Sequence, residues 1–200
     1  YANAVQCTPD GGYILAGYSG SKDTDVTGTH WGGSDYDMWV VKLDAAGTIT
    51  WQNSYGGSGE DIANSIDLTT DGGYIVAGST ASHDGLVTGN HNVSYEKKDF
   101  WLVKINATGT MSWQKCLGGN GDDFAHSVKQ TAEGGYVVFG TVGPTDTNGV
   151  DITGYHGNAG SDYWIVKTDD TGNLTWEKCL GGHGQEDGRK VAETSDGGYI

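Results

Sequence analysis

The tetrapeptide Gly-Gly-Tyr-(Ile/Val) stands four times in this chain, starting at Gly11, Gly72, Gly134 and Gly197. The sequence is therefore a tandem repeat, and each copy must fold as one supersecondary block that buries its apolar faces against its neighbours. Aligned copies show where the block is rigid. Trp39 and Trp51, Trp101 and Trp113, and Trp164 and Trp176 are pairs of identical separation, and the step from each second tryptophan to the next copy's tyrosine, Tyr74, Tyr136 or Tyr199, is constant as well. The step from the tyrosine to the first tryptophan instead lengthens from copy to copy, through Tyr13 to Trp39, Tyr74 to Trp101 and Tyr136 to Trp164. A fixed frame therefore carries one adjustable loop.

The frame reads as four short strands per repeat, a to d. In the second copy they run roughly over 64–69, 74–80, 100–105 and 110–117, stretches rich in β-branched and aromatic residues. Asp71-Gly72-Gly73 makes the a–b turn and Asn106-Ala107-Thr108-Gly109 the c–d turn, both built from residues that tolerate φ > 0. Strands b and c are nearly continuous apolar runs, Tyr74-Ile75-Val76-Ala77 and Phe100-Trp101-Leu102-Val103, which predicts sheets covered on both faces. Four antiparallel strands per repeat, packed face to face with the next copy, describe a β-propeller blade. The expected fold is all-β, with blades at 1–63, 64–125 and 126–188 and the start of a fourth at 189–200. A β-solenoid is the structural rival, but its coils are shorter and lack two tight hairpins per repeat.

Composition supports folded repeats. The chain has 35 Gly and only 2 Pro in 200 residues, and the glycines recur with the repeat, unlike those of disordered low-complexity sequence. No 3.6-residue apolar pattern stands out and no apolar run is long enough to span a membrane, so no membrane insertion is expected. Tyr1 falls inside a strand a and Ile200 inside a strand b, and three blades with part of a fourth fall short of the four to eight that close a ring. The expectation is an excerpt whose ring is completed by remaining blades of the same chain. Cys116 and Cys179 occupy the same strand-d position, too far apart for a disulfide, and Cys7 reads as a small core residue.

At the c–d turn, Asp44-Ala45-Ala46-Gly47 followed by Trp51 recurs as 106–113 and 169–176. This resembles the tryptophan-docking motif of quinoprotein-like propellers, which implies a tryptophan packed between blades. The loop is one residue shorter than that pattern, and nothing here marks a quinone pocket. The spacing also departs from the Asp-box of sialidase-type propellers. The whole repeat, with DGGY-I-V-A-G, D-x-W-x-V-K and W-x-K-C-L-G-G, is similar to repeats of large secreted or surface-anchored bacterial proteins, particularly of Bacteroidetes. The resemblance covers the full chain and implies an extracellular or cell-surface location.

Reversal of the chain at each strand end places loops b–c and d–a on one side and the tight turns on the other. The long-loop side is the expected binding surface. In loop b–c, Val26-Thr27-Gly28-Thr29-His30, Val87-Thr88-Gly89-Asn90-His91 and Ile152-Thr153-Gly154-Tyr155-His156 recur, preceded by Asp23 and Asp25, by Asp84, and by Asp146 and Asp151. Carboxylates in a Gly-rich loop suit Ca²⁺, which takes six to eight oxygens; the competing reading is that Asp caps turns and that His30, His91 and His156 bond loop backbone. The histidines sit on different blades and cannot share one ion. Loop d–a, Gly56-Gly57-Ser58-Gly59-Glu60-Asp61 and its copies, matches the start of the G-G-x-G-x-D calcium nonapeptide, but appears once per repeat instead of in the close succession that motif needs. It reads as a Gly-rich turn. Trp31, Tyr95 and Tyr155 lie in the long loops, where aromatic platforms can stack on sugars or anchor a protein.

With 26 acidic against 11 basic residues the net charge is −15, which disfavours nucleic acid and anionic lipid. No Ser-His-Asp or Cys-His arrangement stands out, and Glu96-Lys97-Lys98 and Arg189-Lys190 read as solvated charge. The sequence thus leads to an expectation of a non-enzymatic scaffold that binds protein or carbohydrate. The alternative is the propeller part of an extracellular hydrolase or lyase whose catalytic residues lie elsewhere.

Overall fold

A computed structural model describes residues 1–23, 25–26, 36–92, 94–143, 151–156 and 160–200. Its strands are β1 (Ala2–Cys7), β2 (Tyr13–Ser19), β3 (Asp37–Leu43), β4 (Ile49–Tyr55), β5 (Asp61–Leu68), β6 (Tyr74–Thr80), β7 (Asp99–Ile105), β8 (Met111–Leu117), β9 (Phe124–Gln130), β10 (Tyr136–Val142), β11 (Asp162–Thr168) and β12 (Leu174–Leu180). They form three four-stranded sheets, each antiparallel and each made by one repeat in the order a-b-c-d. Among the described residues no pairing in these sheets joins one repeat to another, which removes the solenoid. Glu193 pairs with Tyr199 to begin the same hairpin a fourth time.

The middle sheet shows why strands b and c carry unbroken apolar runs. Alternate side chains of a strand point to opposite faces. Tyr74, Val76, Trp101, Val103 and Ile105 face the first sheet and pack with Ile14, Met38 and Val40. Ile75, Ala77, Phe100 and Leu102 face the third and pack with Val128, Val138 and Trp164. Every residue of β6 and β7 is buried as a result. The contact between sheets is closest at their first strands: β5 lies on β1, β2 and β3, and β9 on β5, β6 and β7. Asn3 and Asn64, the extra residues of bulges in β1 and β5, reinforce this edge by donating to Ala63 O and Ala125 O of the following sheet, both at 2.9 Å.

The Asp-Gly-Gly-Tyr motif is a compact turn with a separate reason for each residue. In the second repeat, Asp71 Oδ1 accepts from Gly73 N at 3.0 Å and from Thr69 Oγ1 at 2.5 Å, an Asx-type turn. Gly72 has φ +82°. A Cβ on Gly73 would stand 2.4 Å from Ile105 O, the carbonyl that ends β7. Lys104, the last residue of D-x-W-x-V-K, is buried and reaches Asp71 at 2.8 Å. Lys42 does the same to Asp10 at 2.7 Å, and Lys167 donates to Gly134 O at 2.8 Å where Glu133 replaces the aspartate.

Tyr74 completes the motif by receiving the preceding repeat. Trp51 approaches Tyr74 at 6.2 Å between ring centroids, Trp113 approaches Tyr136 at 5.8 Å, and Trp176 approaches Tyr199 at 5.8 Å. The invariant step from strand-d tryptophan to strand-b tyrosine is therefore a tertiary contact between adjacent repeats. Trp51 Nε1 also donates to Ala107 O at 3.0 Å, and its ring covers Gly109, where a Cβ would meet ring atoms at 2.8 and 2.9 Å. The equivalent Gly47 has a similar positive φ but, among the described residues, nothing within 4 Å. Alanine at either position incurs the left-handed backbone cost of about 1–2 kcal/mol, and only at Gly109 must Trp51 also move. Gly109→Ala is expected to destabilise by about 1–3 kcal/mol more than Gly47→Ala, and urea unfolding of the two variants measures the difference.

The cysteines divide. Cys116 and Cys179 are buried. Cys7 is exposed and is not a core residue. It shares with Val5, itself 60% exposed, the face of the first sheet that no other described sheet covers.

Candidate functional site

The long loops come together along one rim. Loop β6–β7 reaches back to loop β4–β5: Asp84 accepts from Ser58 N at 2.7 Å and from Ser58 Oγ, and Leu86 N donates to Gly56 O at 3.0 Å. Lys98 bonds Glu60 at 2.5 Å, and Lys97 bonds Asp122 of loop β8–β9 at 2.6 Å. The Glu96-Lys97-Lys98 run is thus a pair of ties between loops. Reading it as solvated charge missed that, because both acidic partners lie in loops remote in the chain.

Beneath the rim lies a carboxylate pair at each sheet junction. The aspartate that opens strand c, Asp37, Asp99 or Asp162, is buried. The carbonyl just before it accepts the N–H of the acidic residue closing the next d–a loop: Asp61 donates to Tyr36, Asp123 to Lys98 and Glu186 to Ser161, at 2.7, 2.7 and 2.8 Å. This brings the two carboxyl groups together over the first glycine of Gly-Gly. A Cβ on Gly56 would be 2.4 Å from Asp61 Oδ2 and 2.8 Å from Asp37 Oδ1. At Gly181 it would be 2.5 Å from Asp162 Oδ1 and 2.7 Å from Glu186 Oε2. Glycine is required there because the carboxylates occupy the space of a side chain.

Asp61 has no exposure and accepts from Gly57 N at 2.8 Å, from Ser82 Oγ at 2.8 Å and from Thr80 Oγ1. Burial pushes its pKa up to about 7 against those bonds, and the Asp37 charge adds to the rise. Asp99 holds the loop above it: Oδ2 accepts from His91 N at 2.9 Å and His91 Nδ1 at 2.6 Å, and Oδ1 accepts from Asn92 Nδ2 at 2.7 Å. The bond from Asp99 raises the His91 pKa. Asp162 repeats the arrangement with His156 N at 2.8 Å and Nδ1 at 3.0 Å, but the residue in the place of Asn92 is Gly157. Among the described residues, Asp162 Oδ1 is buried without a hydrogen-bond partner.

Among the residues singled out from sequence, His91 and His156 are thus loop anchors bonded to buried aspartates. Asp84 ties two loops, and the Ser58 bonds lower its pKa. Asp151 accepts from Gly118 N at 3.3 Å, and its carboxylate lies 3.5 Å from His91 Nε2; burial raises its pKa. Asp23 accepts from Val26 N through its backbone carbonyl at 3.1 Å, and Asp25 borders a groove on the uncovered face of the first sheet. Tyr95 is 52% exposed, with His83 edge-on at 4.9 Å. Tyr155 is only partly exposed: it packs on the second core and donates to Gly160 O. His30, Trp31 and Asp146 lie outside the described residues. Among the described residues no three His, Cys, Asp or Glu side chains converge on a metal position. Sequence reasoning missed Asp37, Asp99 and Asp162, although each stands two places before a strand-c tryptophan in D-x-W.

Compared with models of known protein families the chain matches none, and comparison with curated proteins gives no significant match either.

Proposed function

We propose that the three sheets are blades of a β-propeller and that the chain is a non-enzymatic recognition scaffold, secreted or displayed on a cell surface, binding protein or carbohydrate through its b–c and d–a loops. The observation that carries this reading is the construction of the rim. Long loops stand side by side on a repeated frame and are held from below by buried Asp61 and Asp99, an arrangement that limits the ordering cost of binding. Tyr95 offers an exposed aromatic face there.

The propeller itself is supported by the closeness of the first strands and by the first sheet. Tyr13 is 39% exposed where Tyr74 and Tyr136 are 5% and 2%, and its docking glycine, Gly47, has no described neighbour within 4 Å. One more sheet of the same kind, from the same protein, fits that face. The location rests on the resemblance of the repeat to those of bacterial surface proteins.

Binding is tested by affinity electrophoresis through gels containing neutral and acidic polysaccharides, with Tyr95→Ala as the variant. Retardation of the protein that falls at least tenfold in strength with Tyr95→Ala supports a carbohydrate-binding rim. Unretarded migration in every gel removes carbohydrate and leaves a protein partner.

A further inference from the structure

In loop β10–β11 one carboxylate faces the second sheet. Asp151 precedes Ile152 as Asp25 precedes Val26 in the first repeat, whereas the second repeat has Leu86 before Val87. Leu86 packs on the first core, whereas Asp151 turns its carboxylate toward His91 of the neighbouring sheet. The two groups border a cleft of about 400 Å³ that Gln114, Cys116 and Asn173 also line. Both are largely sheltered, with side-chain exposures of 22% for His91 and 17% for Asp151.

The geometry at His91 is that of a held metal ligand. Its Nδ1 is committed to Asp99 Oδ2 at 2.6 Å, and because a carboxylate only accepts, Nδ1 carries the proton, so that the neutral imidazole presents its Nε2 lone pair to the cleft. A buried carboxylate behind a ligating histidine fixes tautomer and ring orientation at metal sites. The Nε2 to Asp151 Oδ2 distance is 3.5 Å. That is long for a charge-assisted hydrogen bond, which runs at about 2.7–2.9 Å. It is close to the edge, roughly 3.4 Å, of a tetrahedron with metal–ligand bonds of about 2.0–2.1 Å.

We propose that this cleft binds one divalent transition-metal ion of the zinc class, ligated by His91 Nε2 and the Asp151 carboxylate, with Asp99 as the positioning residue behind His91. The remaining coordination positions open into the cleft for water or a ligand donor atom. The imidazole selects against Ca²⁺ and Mg²⁺, which take oxygen ligands. His156 is held by Asp162 in the same way and serves as the internal comparison.

The test is titration of the protein with Zn²⁺ in a Cys7→Ser background, which removes the exposed thiol, read by calorimetry and by ¹⁵N resonances of the histidine rings. Expected are one saturable ion per chain, perturbation of the His91 signals before those of His156, and no competition from millimolar Ca²⁺ or Mg²⁺. Affinity should fall at least tenfold in His91→Gln and in Asp151→Leu, the latter placing at this position the residue that the preceding repeat already accommodates, and by about 10–100-fold in Asp99→Asn. Absence of saturable binding overturns the proposal. Binding that survives either His91→Gln or Asp151→Leu in a variant with an unchanged melting temperature overturns it equally.

Discussion

Replacing Asp61 by asparagine is expected to remove a contribution that lowers the stability of the native protein as pH rises from about 4 to 7. The folded carboxyl group has its pKa at about 7 against an ordinary value of 3.8, with burial as the main cause. Over that window the folded protein keeps a proton that the unfolded chain has released, so stability declines as pH rises and levels off once both forms are ionised. A shift of this size corresponds to roughly 4 kcal/mol. Asparagine does not ionise, so at pH 8 Asp61→Asn should be the more stable protein. At pH 4 it should be equal or slightly weaker, because its amide replaces an acceptor that Ser82, Thr80 and Gly57 use. Urea unfolding of both proteins across pH 4–8 measures this as a difference, which cancels the titration of His91. A difference that stays constant with pH would show Asp61 ionising as an ordinary carboxylate.

The largest single loss of stability is expected from Gly78→Ala. A bulge in β5 at Asn64 pushes Ile62 O against strand b, so a Cβ on Gly78 would lie 1.8 Å from that oxygen. Gly17 and Gly140 face Tyr1 O and Phe124 O at 2.0 Å in the other repeats. The obstacle is backbone within a buried sheet, so relief requires the bulge to unwind and Asn64 to release Ala125 O. A cost of at least about 3 kcal/mol follows, at or above the upper end of ordinary overpacking. Gly72→Ala is the control: its φ is +82° but nothing described stands within 4 Å, and about 1–2 kcal/mol is expected. Thermal unfolding of the two variants separates close approach from backbone conformation, and equal losses would show that the bulge yields easily.

The frame was legible because its contacts follow the spacing of the repeat. The constant step from Trp51 to Tyr74 is a ring contact, and the continuous apolar runs of β6 and β7 are strands buried on two sides. The carboxylate pairs escaped notice because an aspartate in a Gly-rich loop reads as an exposed turn residue. Nothing local indicates that Asp61 meets Asp37, a full hairpin earlier in the chain, over Gly56. Lys104 was hidden for a related reason: a lysine ending a strand reads as solvated, whereas its partner Asp71 belongs to the turn before the neighbouring strand. Cys7 went wrong in the other direction, since assigning it to the core assumed a neighbour for every sheet face.

The tryptophan contacts between sheets are not symmetric. Trp51 leaves the first sheet and is received by Tyr74, Ala107 and Gly109 of the second, and Trp113 leaves the second for Tyr136 and Gly172 of the third. Each sheet thus has a giving side and a receiving side, and a row of them has a polarity, as a polymer of identical monomers does. Two such rows can join only head to tail, and a sheet inserted backwards would set tryptophan against tryptophan. Repeats can be added, lost or exchanged as whole units without redesigning a junction, while each loop β6–β7 or β10–β11 is free to change its length above it.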